Sequence, residues 1–185
     1  MMSPRALKAA LKKIGAVSLL GTAVRLVDEE WSFPRDVISG EGARARGGRY
    51  NAPDSFRAVY LTEDPKTGLE EIEYPTSAGG KYAIEGVKRV TIVPVRFQLV
   101  RALNLCDYSV RISLGTDRDE LSLAFRLFNA RNELAPSQVL GHVVYKAGWS
   151  TIQYPSRHDP RVCNLAVFPD NLTEGEYLIP QKPGR

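Results

Sequence analysis

Residues 47–74, GGRYNAPDSFRAVYLTEDPKTGLEEIEY, carry two arginines in reach of one loop, then Tyr60 in a strand pattern, then Glu70 and Glu71 in a helix pattern. The run AVYL over 58–61 is apolar, short and β-branched, and predicts a buried strand. Asp64-Pro65 then opens a helix, because aspartate is a favoured N-cap and proline a favoured first helical residue. A strand passing directly into a helix places an arginine loop, an aromatic and a carboxylate at one end of a sheet. Arginine grips phosphate oxygens through a planar fork. An aromatic ring stacks on a base, and a carboxylate can hold sugar hydroxyls while stabilising a cationic sugar. The set suits a ligand that joins a pyrophosphate, a flat ring and a ribose.

Outward from that stretch, residues 36–57 are rich in glycine and arginine, poor in apolar residues, and read as a loop that folds over something. Downstream, RVTIVPVRFQL over 89–99 predicts a strand, with Pro94 implying an edge position or a bulge. Asp117 to Ala130 predicts one helix, with Asp117 and Glu120 spaced as a capping box. Pro136 to Ala147 predicts another, with Val139, Leu140, Val143, Val144 and Ala147 on one face. Ser150 to Tyr154 and Val162 to Phe168 read as strands flanking the loop Pro155 to Arg161. Short strands with separated helices predict an α+β chain rather than alternating βαβ units.

The chain of 185 residues suits a single domain with its own core, and no repeat or linker divides it. Hydrophobic and charged fractions of 43% and 25% are those of an ordinary globular protein, which excludes a disordered or fibrous chain. A net charge of +4, from 25 basic against 21 acidic residues, is too mild to argue for nucleic acid and suits an anionic small molecule. Cys106 and Cys163 show no metal-type spacing, and His142 and His158 are the only histidines, so no zinc site is expected. The cysteines read as buried and reduced, which suits a cytoplasmic chain. No apolar run approaches a membrane span.

At the N-terminus, basic residues up to Lys13 precede AVSLLGTAV, and Gly21-Thr22-Ala23 loosely resembles a signal-peptidase site. An amphipathic helix with Leu7, Ala10, Leu11 and Ile14 on one face, followed by an apolar strand, is the better reading. The apolar run is short for an export signal and contains Ser18 and Gly21. Residues 1–22 are thus expected to form a basic amphipathic lead, and 23–185 the functional domain.

Each candidate site residue has an unremarkable alternative. Arg44, Arg46 and Arg49 beside two glycines also fit a solvated basic loop or an RGG-like nucleic-acid contact. Tyr60 also fits packing within a sheet. Glu70 and Glu71 point about 100° apart on a helix, so one of them faces a cleft and the other fits solvent. Leu69 and Ile72 read as core-facing, and Glu73 falls on another face. Ser156 in QYPSRHDP lies in a shaped loop at a strand end; His158 beside it makes no triad, because no G-x-S-x-G elbow is present. There is no P-loop or Rossmann glycine fingerprint, and no aromatic platform interleaved with basic strands.

Four segments in order, Val24-Arg25-Leu26, SGEGARARGGRYN, AVYLTEDPKTGLEEI and GWSTIQYPSRHDPRVCNLAVF, resemble the RES domain family, toxins of RES–Xre toxin–antitoxin systems. The resemblance runs from about Ala23 to Phe168. It implies an ADP-ribosyltransferase-like mixed β core with flanking helices, and consumption of NAD+. By resemblance, Arg25 and Arg49 are the family's arginines, Tyr60 its strand tyrosine, Glu71 its helix acid and Ser156 its late serine. Tyr50 stands where tryptophan is usual and keeps an aromatic beside Arg49 for NAD+ binding. The resemblance further implies that Glu71 binds the nicotinamide-ribose hydroxyls, Tyr60 stacks near nicotinamide, Ser156 orients the ribose or the nucleophile, and Arg25 and Arg49 hold phosphate, with no metal and no cofactor beyond NAD+ as substrate. Water, phosphate or a protein side chain remain open as acceptor. An Xre-type helix-turn-helix antitoxin is the expected partner. A homodimer also fits, although no feature demands one. A basic nucleic-acid-binding module is the alternative from another class.

Overall fold

The computed structural model describes residues 1–71 and 90–181. In chain order these form α1 (Pro4–Leu11), β1 (Val17–Asp28), α2 (Pro34–Val37), α3 (Glu41–Arg46), β2 (Val59–Thr62), α4 (Pro65–Glu71), β3 (Val90–Asn104), α5 (Tyr108–Ser113), α6 (Arg118–Leu121), α7 (Phe125–Asn129), α8 (Pro136–Lys146), β4 (Thr151–Pro155), β5 (Cys163–Val167) and β6 (Tyr177–Pro180). Ile72, Glu73 and Arg89, weighed above, lie outside the described residues.

β1 runs antiparallel to β3 along almost its whole length, from Val17 opposite Ala102 to Asp28 opposite Val90. β1 also meets β2 at Val24 and Thr62, β2 pairs antiparallel with β5, β5 with β4, and β4 lies parallel to β3. The five strands therefore close a circuit, a β-barrel core in one mixed α/β domain, and β6 adds to the edge of β3 that β4 also uses. β3 shows why the strands form: Val93, Val95, Phe97 and Leu99 are buried, and Ile92, Arg96 and Val100 between and beyond them are exposed, a period of two. Pro94 introduces no bulge, since the only register shift against β1 falls between Val17 and Leu19. It sits where the β6 ladder ends, and its carbonyl accepts from the Gln181 N–H.

One core cluster packs α1 and α8 against β2, β4 and β5 through Leu7, Leu11, Leu140, Val144, Tyr60, Ile152 and Ala166. The other joins β1, β2, β3, β5 and β6 through Ala23, Leu61, Val95, Leu165 and Leu178. The helix-then-strand reading of the N-terminus holds: Ser3 caps α1, and Leu7 and Leu11 are buried. A boundary between residues 22 and 23 falls inside β1, so the lead is packed with the strands. Gly21 has a packing reason, because a Cβ there would stand 3.3 Å from the ring of Phe97, its cross-strand partner.

Three expectations change. The segment 36–57 is not all loop, since it contains the end of α2 and all of α3. The helix expected over 117–130 is two short helices, α6 and α7. Asp117 does accept from the Glu120 N–H at 2.8 Å, but the Glu120 carboxylate turns to the N-terminal ammonium at 2.6 Å and to Thr116 at 2.7 Å, so the reciprocal half of the capping box is missing. The cysteines are half-buried rather than buried, and they are free thiols with their sulfurs side by side. Among the described residues no helix is long and apolar enough to cross a membrane.

Candidate active site

Glu71 is the last described residue of α4, and the packing of that helix decides where its carboxylate goes. Asp64 caps α4, accepting from the Thr67 amide at 2.8 Å and hydroxyl at 2.6 Å, which holds its own carboxyl below the usual range. Gly68 lets the helix press on the barrel, for a Cβ there would come within 2.6 Å of Leu26 and 2.7 Å of Thr62. Glu71 is thereby brought to β5 and the β4–β5 loop. Its Oε1 accepts from the Ser156 hydroxyl at 2.7 Å, the Asn164 side-chain amide at 3.1 Å and the Arg157 N–H at 3.2 Å. Its Oε2 lies 3.7 Å from the Arg49 guanidinium. Ser156 is fully buried, and its oxygen also accepts from the His158 N–H at 3.1 Å, the turn that shapes the loop.

Arg49 stands on a loop that is clamped from three directions. The Tyr60 hydroxyl donates to Asn51 Oδ1 and accepts from the Tyr50 N–H, both at 2.8 Å. Buried Asn51 donates to the Ala43 carbonyl at 2.7 Å. Buried Gln138 of α8 donates to the carbonyls of Gly48 at 3.0 Å and Asn51 at 3.1 Å. Gly48 has to be glycine, because a Cβ would fall 2.5 Å from the Tyr60 ring. So fixed, Arg49 donates to the Leu121 carbonyl at 3.0 Å and its side chain is 11% exposed, with one edge turned to Glu71.

Arg25, on β1, donates to the Tyr60 carbonyl at 2.8 Å. Its Nε is buried without a partner among the described residues, and burial lowers its pKa. Among the described residues no carboxylate lies within ion-pair distance of it. Such a guanidinium suits an anionic ligand that completes its hydrogen bonds. Burial also raises the phenol pKa of Tyr50, Tyr60 and Tyr154, so all three are neutral donors.

The structure thus brings Arg49, Glu71 and Ser156 into one cluster, with Arg25 and Tyr60 on the adjoining strands. It places Tyr50 differently from the expected ligand-facing position: the side chain is 1% exposed and packs on Tyr154 at 4.8 Å between ring centroids. Tyr50 lines a small hollow with Arg49, Arg118 and Tyr154. Arg44 and Arg46 are exposed on α3, with Arg44 paired to Glu41. Sequence reasoning missed Asn164 and Arg118, whose guanidinium donates to the carbonyl of Arg157 at 3.2 Å and of Ser156 at 3.5 Å. An asparagine inside the apolar run CNLAV was the one signal available for Asn164. A larger hollow of about 370 Å³ lies elsewhere, against Phe56, His142 and Tyr145, and its arginines are already paired with Glu41 and Asp170. No group of three or more metal-ligating side chains occurs among the described residues.

A carboxylate with one oxygen anchored and the other beside an arginine can bind vicinal hydroxyls and stabilise positive charge on a sugar. The model of the RES domain family matches residues 22–183. The chain belongs to the RES domain family. NAD(+) phosphorylase MbcT of Mycobacterium bovis and of Mycobacterium tuberculosis are each 33% identical over 90 residues, 47% of this chain and 47% of theirs. The match thus spans about half the length of those curated relatives. The crystal structure of the M. tuberculosis MbcT–MbcA toxin–antitoxin complex shares the RES fold, with a TM-score of 0.70 and 21% identity over 96% of this chain and 90% of that one.

Proposed function

We propose that this RES domain is the toxin of a type II toxin–antitoxin pair, an ADP-ribosyltransferase-like enzyme that depletes cytoplasmic NAD+ by cleaving its nicotinamide–ribose bond. The observation that carries the reading is the Glu71 carboxylate, its Oε1 held by three donors and its Oε2 left beside Arg49. Oε2 binds the hydroxyls of the nicotinamide ribose and stabilises the oxocarbenium character that develops as the bond breaks. Arg49 and Arg25 take the diphosphate, whose paired oxygens match guanidinium forks. Tyr60 sets the loop that carries Arg49, with its ring beneath Gly48. Ser156 fixes Glu71 from the opposite side. Nicotinamide leaves as a neutral molecule, so the step asks for no general acid, no metal and no further cofactor.

Phosphate is the acceptor favoured here over water, because the relatives that share 33% of the matched sequence are named NAD(+) phosphorylase. An Xre-type helix-turn-helix antitoxin is the proposed partner, in keeping with a fold neighbour solved as a toxin–antitoxin complex. The test is chromatography of NAD+ incubated with purified protein, with and without inorganic phosphate. Nicotinamide release that rises with phosphate, with a phosphorylated ADP-ribose as second product, is expected. ADP-ribose alone would assign water, and label transferred to protein would assign ADP-ribosylation. A folded chain that releases no nicotinamide would end the enzyme reading.

A further inference from the structure

Asn164 lies in the middle of the sheet, in β5, opposite Thr62 of β2 on one side and Tyr154 of β4 on the other. It is 2% exposed, and Leu165, Ala166 and Val167 after it are all buried and apolar. Asparagine is disfavoured in strands, where a β-branched residue fits the pleat better. Burying its amide is costly unless hydrogen bonds compensate. Here compensation is half complete: Nδ2 donates to Glu71 Oε1, and Oδ1 is buried without a partner among the described residues. A side chain that burdens its own strand in this way and, among the described residues, makes one side-chain bond, to the carboxylate of the site, is explained by that bond.

The bond also answers a geometric need. The terminal torsion of a glutamate is broad and two-fold, so an unrestrained carboxylate exchanges its two oxygens freely. Ser156 and the Arg157 amide belong to the loop between β4 and β5, whereas Asn164 belongs to a strand paired on both sides. A hydroxyl can turn from donor to acceptor; the Nδ2 amide only donates. We infer that Asn164 is a positioning residue for Glu71, fixing Oε1 to the barrel so that Oε2 alone faces the substrate ribose. For its substrate this inference rests on the NAD+ reading above.

The test uses the full chain and two substitutions. Asn164→Ser removes the reach of the amide, and Asn164→Asp keeps the shape but sets an acceptor against Oε1. At neutral pH both should lower kcat for nicotinamide release by about 10²-fold, the scale of a misplaced catalytic group, with little change in KM for NAD+. On acidification Asn164→Asp should regain part of the loss, since its introduced carboxyl can then donate, while Asn164→Ser should not. Variants as active as the parent, or a loss confined to KM, would overturn the inference. A crystal structure of Asn164→Ser decides the matter independently of activity: the Glu71 carboxylate should be rotated or split between two positions. An unmoved carboxylate would overturn the assignment, and a parent that fails to cleave NAD+ would overturn only the proposed reaction.

Discussion

A carboxylate with one committed oxygen makes the two adjacent glutamates sharply unequal. Glu71→Gln preserves size but removes the charge that would stabilise an oxocarbenium-like state, so nicotinamide release should fall by about 10²–10³-fold. Glu70→Gln, at a half-buried position with no bond to Ser156 or Asn164, should change turnover little. Equal losses in single-turnover assays would mean that the helix register does not govern the site. Arg49 allows a similar comparison. Arg49→Lys keeps the charge but not the fork that reaches both the Leu121 carbonyl and the edge of Glu71, so NAD+ affinity by calorimetry and turnover should both drop. Arg44→Ala removes an exposed residue of α3 paired with Glu41, and both quantities should stay near the parent's. The reverse ranking would withdraw Arg49 from the phosphate.

Helix α8 is held against the arginine loop by contact with backbone, and this makes Gly141 informative. A Cβ there would stand 1.9 Å from the Tyr50 carbonyl oxygen and 2.9 Å from its Cα, atoms that cannot swing aside. Alanine would ordinarily gain about 1 kcal/mol in a helix interior. Overpacking against fixed atoms costs about 1–3 kcal/mol, so Gly141→Ala should be destabilising on balance. Urea unfolding should show a lowered midpoint, and residual activity should fall because the loop holding Arg49 is displaced; a raised midpoint would refute the contact. The same packing explains what the sequence left hidden. α8 was legible as a helix, yet Ala147 is exposed, while Ser137, Gln138 and Gly141 are buried with Leu140 and Val144. An apolar stripe cannot report a helix that meets a loop of carbonyls through an amide and a glycine. The helix over 117–130 breaks where Ala124 leaves the helical region, at ψ 86°, a kink that no glycine or proline announces. Arg49, Glu71 and Ser156 were legible through motif order, whereas Asn51, Gln138, Asn164 and Arg118 bind backbone or residues remote in sequence and leave no periodic trace.

At the scale of the whole molecule, closure of the barrel leaves β6 as the appended strand, and one buried carboxylate secures its beginning. Glu176 accepts from the Val100 and Arg101 amides and the Ser150 hydroxyl through Oε1, and from the Thr173 amide and hydroxyl and the Arg101 guanidinium through Oε2. These groups tie the turn before β6 to β3 and to the start of β4, and the Glu176 side chain is 0% exposed. Burial pushes its carboxyl upward, but the Ser150 hydroxyl and the Thr173 and Val100 amides prevail and bring it from 4.5 down to about 2. A carboxyl lowered in the folded state binds its proton more readily when unfolded. Its contribution is therefore complete above the ordinary value of 4.5 and is lost as pH falls toward about 2. Glu176→Gln should lower stability at neutral pH by about 2–3 kcal/mol, the scale of hydrogen bonds to a charged group. Urea unfolding of parent and variant over a pH series should show that gap closing between 4.5 and about 2, while other titrating carboxylates cancel in the comparison. A gap that stays constant through this window would show that the charge on Glu176 does not hold β6 to the barrel.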